Sequence, residues 1–177
     1  VYAPDRDGLF ASVTAMLDRM HFSVMEARVL SSPSGLAMDT FLLLEADTQM
    51  PANATRSDEL RQRLLRALAE AKPVQPTRRG LSRHLKHFQM PPRIALSAID
   101  GRTQMALVCT DRPGLLAAVA QVLLEVGVRV QDARIATFGE RVEDFFQLTD
   151  RHDAPLSAEL QEHLRSALLQ RLAPAKA

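Results

Sequence analysis

The stretch Asp5-Arg6-Asp7-Gly8-Leu9-Phe10-Ala11-Ser12-Val13 returns 106 residues later as Asp111-Arg112-Pro113-Gly114-Leu115-Leu116-Ala117-Ala118-Val119. A repeat of that period fixes the architecture before any local reading, because each copy must be one structural unit. The match continues: Val24, Ala27, Arg28 and Val29 align with Val130, Ala133, Arg134 and Ile135. One residue of slack then aligns Asp39 and Phe41 with Asp144 and Phe146, and Ser57, Glu59, Leu60, Leu64, Ala67 and Leu68 answer Ser157, Glu159, Leu160, Leu164, Ala167 and Leu168. A chain of 177 residues therefore divides into two modules rather than one large domain.

Each copy reads by period. Leu9, Phe10, Val13, Met16, Leu17 and Met20 form one helical stripe, repeated by Leu115, Leu116, Val119, Val122, Leu123 and Val126. Phe22 and Val24, then Ala27 and Val29, alternate as a strand whose phase slips near Met25-Glu26; the second copy slips at the same place, as a β-bulge would require. The next strands, Leu36 to Ala46 and Val142 to Asp150, follow the turns at Ser32 to Gly35 and at Phe138-Gly139-Glu140. Hairpins centred on those turns would set Arg28 opposite Asp39 and Arg134 opposite Asp144, as cross-strand ion pairs of about 0.2–1 kcal/mol. Helices over Ser57 to Lys72 and Ser157 to Leu172 complete the copies, each with Ser as its expected N-cap.

The order strand, helix, strand, strand, helix is that of an α+β, ferredoxin-like βαββαβ unit lacking its last strand. Arg93 to Ile99 alternates and meets Arg102 to Cys109 through Asp100-Gly101, a strong two-residue hairpin signal. It is expected to fill the missing edge of the second copy, giving a permuted ββαββα unit, rather than to return to the first copy's sheet. The predicted division is a first domain over 1–72, a linker with a short helix at 81–88 over 73–91, and a second domain over 92–177. The chain opens inside a strand at Val1 to Ala3, so a piece of a longer protein is expected, with an equivalent strand upstream.

Composition narrows the function. With 22 Lys+Arg against 21 Asp+Glu there is no strong positive field for nucleic acid. The stretch Leu115 to Val128 is interrupted by Gln121 and Glu125 and is too short to span a bilayer, so no membrane role is expected. A single Cys109 excludes an internal disulfide and paired-cysteine zinc sites, which suits a reducing cytoplasm.

Chemistry is expected at the repeated loop. Its glycine permits a tight turn and close approach of a ligand, and the helix start behind it offers the amides of Gly8 to Phe10, or Gly114 to Leu116, to a carboxylate. Asp5 or Asp111 can accept from an ammonium. A free α-amino acid carries both charges; the plain structural alternative is an aspartate that only caps the helix.

The run Asp-Arg-Pro-Gly-Leu-Leu at 111–116, followed by Gly-Val-Arg-Val-Gln-Asp-Ala-Arg-Ile-Ala-Thr-Phe-Gly-Glu-Arg-Val-Glu-Asp-Phe-Phe at 127–146, resembles an ACT domain. With Tyr-Ala-Pro-Asp-Arg-Asp-Gly-Leu-Phe at 2–10 and Ala-Met-Asp-Thr-Phe at 37–41, the whole is similar to the tandem ACT domains that end the uridylyltransferase/uridylyl-removing enzymes of bacterial nitrogen regulation. The resemblance implies glutamine, or another free amino acid, as ligand, and control of uridylylation of the signal protein PII by a larger parent. Ligand contacts would fall on Asp5, Arg6, Gly8 and Leu9, and on Asp111, Arg112, Gly114 and Leu115. Ser23 and Arg129 stand where many ACT domains place a ligand-binding Asn, and Asp7 replaces the usual Pro. No cofactor is implied for this segment; Mg2+ would serve the parent's catalytic parts. A homodimer formed through ACT sheets is a further implied partner, and a non-ligand-binding dimerisation module is the alternative function.

Rival chemistries find too few residues. His152-Asp153 lacks the further ligands of a metal phosphohydrolase, and His84 and His87 lack a third ligand. An RNA-recognition surface would need aromatic residues beyond Phe41, Phe145 and Phe146. An acylphosphatase-like site would need an Asn, and none follows Asn53. Cys109 has no His placed to activate it. The segment itself is expected to be without catalytic residues.

Overall fold

A computed structural model describes residues 1–70 and 90–173. The expected linker helix at 81–88 lies outside the described residues. The element order is β1 (Tyr2–Pro4), α1 (Leu9–Arg19), β2 (Phe22–Ser31), β3 (Leu36–Glu45), α2 (Ala54–Glu70), β4 (Arg93–Ile99), β5 (Arg102–Thr110), α3 (Leu115–Val126), β6 (Arg129–Phe138), β7 (Arg141–Thr149) and α4 (Ala158–Leu172). The strands form one antiparallel seven-stranded sheet in the order β1-β3-β2-β6-β7-β5-β4. This is an α+β fold compatible with two ferredoxin-like ACT units. β4 pairs with β5 from Arg93 opposite Val108 to Ile99 opposite Arg102, so the second copy has the expected permuted order. Asp100 and Gly101 turn that hairpin with φ of 50° and 71°, the left-handed pair a two-residue turn needs.

The copies join through β2 and β6, with Arg28 directly opposite Arg134. A pseudo-twofold thus runs between these strands and makes one sheet of two. The four helices pack in the order α2-α1-α3-α4 on one side of it. Apolar stripes at helical spacing explain α1 and α3, whose Leu9, Val13, Leu17, Leu115, Val119 and Leu123 are all buried. The larger core crosses the junction: Phe10 and Ala11 of the first copy join Met105, Leu107, Phe146 and Leu148 of the second. α4 buries Leu164, Leu168 and Leu172, whereas α2 buries no residue fully. The difference follows from the floor, since the first copy's sheet ends at the three-residue β1.

Both predicted bulges are present, between Val24 and Glu26 and between Val130 and Asp132. The predicted ion pairs are not. Arg28 faces Thr40 and Arg134 faces Phe145, while Asp39 lies opposite Val29. The first turn closes with the Ser32 amide donating to the Leu36 carbonyl, leaving three residues at the tip, and the second leaves only Gly139 and Glu140. Each hairpin is therefore centred half a residue beyond the expected point, and a one-residue change of partner sends the side chains to opposite faces. Arg28 is exposed on the helix-free face, 3.7 Å from Asp132, and Asp39 and Asp144 are buried on the helix side. Ser157 caps α4 as expected, accepting from the Leu160 amide at 3.2 Å. In the first copy the helix begins earlier, and Asn53 rather than Ser57 takes that role, accepting from the Arg56 amide at 2.9 Å.

Candidate functional site

Gly8 and Gly114 occupy the N-cap positions of α1 and α3 with φ of 79° and 74°, and no side chain caps either helix. A residue with a Cβ would be strained in this left-handed conformation. Asp5 and Asp111 therefore do not act as helix caps. The expected set of free amides also needs correction: Leu9 donates to the Arg6 carbonyl and Leu115 to the Arg112 carbonyl, each at 3.1 Å, so the central amide of each trio closes the turn. Arg6 and Arg112 reach away from the turn to the last turns of α2 and α4. Their Nη2 atoms donate to the carbonyls of Leu68 at 2.9 Å and Arg171 at 3.0 Å, at the negative ends of those helices.

The β2–β6 junction makes each loop the wall of a cleft whose opposite wall belongs to the other copy. Loop 5–9 faces Leu124 at the end of α3 and Arg129 at the start of β6. Loop 111–115 faces Asp18 at the end of α1 and Ser23 at the start of β2. The ten predicted ligand residues thus gather as two sets, with Arg129 exchanged into the first and Ser23 into the second. A one-copy reading of the repeat could not find this exchange.

The clefts differ at matched positions. In the first, a Cβ on Gly8 would stand 3.2 Å from Leu124 Cδ2, and Arg151 packs over Gly127 and also lines the space. The Arg129 guanidinium lies 3.9 Å from Asp5, 3.5 Å from Asp7 and 2.9 Å from Asp153. In the second, Asp18, Ser23 and Ala46 hold the places of Leu124, Arg129 and Arg151. The cavity volumes follow: about 70 Å³ in the first cleft and about 240 Å³ in the second. On this measure a water occupies roughly 10–15 Å³, so the second cleft has room for a small organic molecule and the first for a few waters.

Asp39 lines the first cleft and Asp144 the second, 3% and 1% exposed. Among the described residues, Asp39 Oδ1 and both Asp144 oxygens lack a hydrogen-bond partner. Burial pushes Asp144 up to about 7; the nearby Ala136 amide opposes this and the Asp111 carboxylate reinforces it. Burial likewise pushes Asp39 up to about 6, reinforced by Asp5. Asp111 is itself raised by burial. These two carboxylates are the functional candidates that the ion-pair reading missed. The available signal was an Asp recurring at an inward-facing strand position in both copies.

Burial pushes the Cys109 thiol up to about 12, with Asp144 adding to it, which leaves no thiolate for catalysis. His152 sits in a polar turn whose amide donates to Asp150 Oδ1 at 2.8 Å. Among the described residues no group of three or more His, Cys, Asp or Glu side chains could hold a metal ion. His84 and His87 lie outside the described residues. No described helix is long and apolar enough to cross a membrane.

No protein-family model matches the chain. Curated relatives match it over 98% of its length: a bifunctional uridylyltransferase/uridylyl-removing enzyme of Xanthomonas axonopodis pv. citri at 48% identity, one of Xanthomonas oryzae pv. oryzae at 49%, and one of Azotobacter vinelandii at 39%. The chain spans 20% of the length of these relatives. Across nearly all of its own length, the chain is thus homologous to a segment of the larger bifunctional uridylyltransferase/uridylyl-removing enzymes.

Proposed function

We propose that the chain is a regulatory tandem ACT module that senses glutamine and, within a larger cytoplasmic enzyme, sets the balance between uridylylation and deuridylylation of PII. The observation that carries this reading is the second cleft. It joins a helix N-terminus, at Gly114 and Leu116, to the carboxylates of Asp111 and Asp144 in a cavity of about 240 Å³. The amides suit the ligand's α-carboxylate and the carboxylates its ammonium. A neutral side-chain amide adds no charge, whereas the second carboxylate of glutamate would meet like charges in a site of low dielectric. Because the cleft walls come from different copies, a ligand there has a different affinity for each relative setting of the copies. That difference is what couples occupancy to distant catalytic parts, and Mg2+ belongs to those parts in this reading. Calorimetric titration with glutamine, with glutamate as control, tests it. Uptake of glutamine with at least tenfold preference is expected; equal uptake of both, or of neither, removes the glutamine assignment.

A further inference from the structure

The two clefts descend from one repeated unit, yet one holds about 240 Å³ and the other about 70 Å³. The change is concentrated at matched places: Leu124 for Asp18, Arg129 for Ser23 and Arg151 for Ala46. In the first cleft these substitutions bring two guanidinium groups and remove a carboxylate. Arg129 is only 31% exposed and is held by carboxylates from two sides, Asp5 and Asp7 on the repeated loop and Asp153 beyond β7. Asp5 corresponds to Asp111, the loop carboxylate of the roomier cleft.

We propose that Arg129 is a built-in occupant of the first cleft, its guanidinium standing among carboxylates where a ligand's ammonium stands in the second. The tandem then takes up one amino acid, not two, and does so beside Asp144. This inference rests on the amino-acid-sensing reading for its second half, while the occupancy by Arg129 stands on the ion pairs alone. The second cleft is a built site in its own right: Asp144 is 1% exposed, lines the cavity, and has neither oxygen bonded among the described residues. An internal cation in one cleft also makes the device asymmetric.

The experiment uses the full 177-residue chain and two probes. In Arg129→Ala, thermal unfolding in methylguanidinium chloride, compared with sodium chloride at the same ionic strength, is expected to show a midpoint higher by roughly 2–4 °C. The unmodified chain and Arg129→Lys, which keeps a cation in place, are expected to show none. Equal midpoints for Arg129→Ala in the two salts, or an equal rise in the unmodified chain, overturn the occupancy. Titration of the unmodified chain with glutamine is expected to give one equivalent, lost in Asp144→Asn. Two equivalents overturn the inference and leave the sensing reading intact. Conversely, no uptake of glutamine together with a methylguanidinium response removes the sensing reading and leaves Arg129 as the occupant.

Discussion

Gly114 and Asp18 meet across the junction of the two copies: a Cβ on Gly114 would stand 3.0 Å from Asp18 Oδ1, at a φ of +74°. The contact lets a carboxylate of α1 approach the N-terminus of α3, so Gly114→Ala should act on both stability and binding. The left-handed backbone alone costs an alanine about 1–2 kcal/mol. Gly101, with φ +71° and open space around it, isolates that contribution, and it lines neither cleft. Gly114→Ala is expected to lose more stability than Gly101→Ala in denaturant titration, and to weaken glutamine binding at least tenfold where Gly101→Ala leaves it unchanged.

Asp144 gives the fold a pH dependence of unusual sign. Its carboxyl is displaced from 3.8 to about 7 by burial, so the native state holds a proton that the unfolded state releases above about pH 4. Stability from this group is full below that point, declines as pH rises, and is lost above about pH 7. The displacement corresponds to up to about 4 kcal/mol. Asp39, displaced to about 6, adds a smaller contribution of the same sign. Urea unfolding from pH 4 to 8 should show the decline, and Asp144→Asn should flatten most of it. Binding runs the other way: an ammonium favours the ionised carboxyl, so glutamine affinity of the unmodified chain should rise between about pH 6 and 8.

The repeat made most of this architecture legible. Matching phase slips located both bulges, and the Asp100-Gly101 signal located the hairpin that closes the second sheet, because local backbone geometry decides such features. Hairpin register was not legible to the last residue. Whether Ser32 to Gly35 closes with two or three residues at its tip changes the partner of every side chain, and that choice moved Asp39 from an expected cross-strand ion pair into a cleft. The exchange of Ser23 and Arg129 lay further out of reach. It depends on β2 pairing with β6, a contact between residues about a hundred positions apart that no local pattern encodes.

Arg6 and Arg112 occupy the same place in the repeat and do the same mechanical task, tying the loop to a helix C-terminus. Both bonds are exposed, but Arg112 itself is half-buried and its bond anchors α4, whose Leu164, Leu168 and Leu172 are buried. The tie at Arg6 is exposed and anchors α2, which buries no residue fully. Arg112→Ala should therefore cost about 1 kcal/mol, and Arg6→Ala less than half of that. Denaturant titration of the two variants, against the unmodified chain, decides between this and equal roles.

Phe10 of α1 meets Phe146 of β7 edge to face, with ring centroids 6.5 Å apart and planes at 70°. The two rings come from different copies, and Phe146 is 1% exposed within the larger core. A shared core and a continuous sheet mean that neither copy can melt without exposing apolar surface on the other. Unfolding should therefore be a single transition by far-UV circular dichroism, with equal calorimetric and van't Hoff enthalpies. Truncating either ring to alanine should cost about 3–5 kcal/mol, nearer the low end for Phe10 because it retains 8% exposure. A double-mutant cycle should return a coupling of about 0.5–1.5 kcal/mol. Two separated transitions in the unmodified chain, or a coupling indistinguishable from zero, would mean that the copies fold independently. The second cleft would then lack the rigid joint that its two walls require.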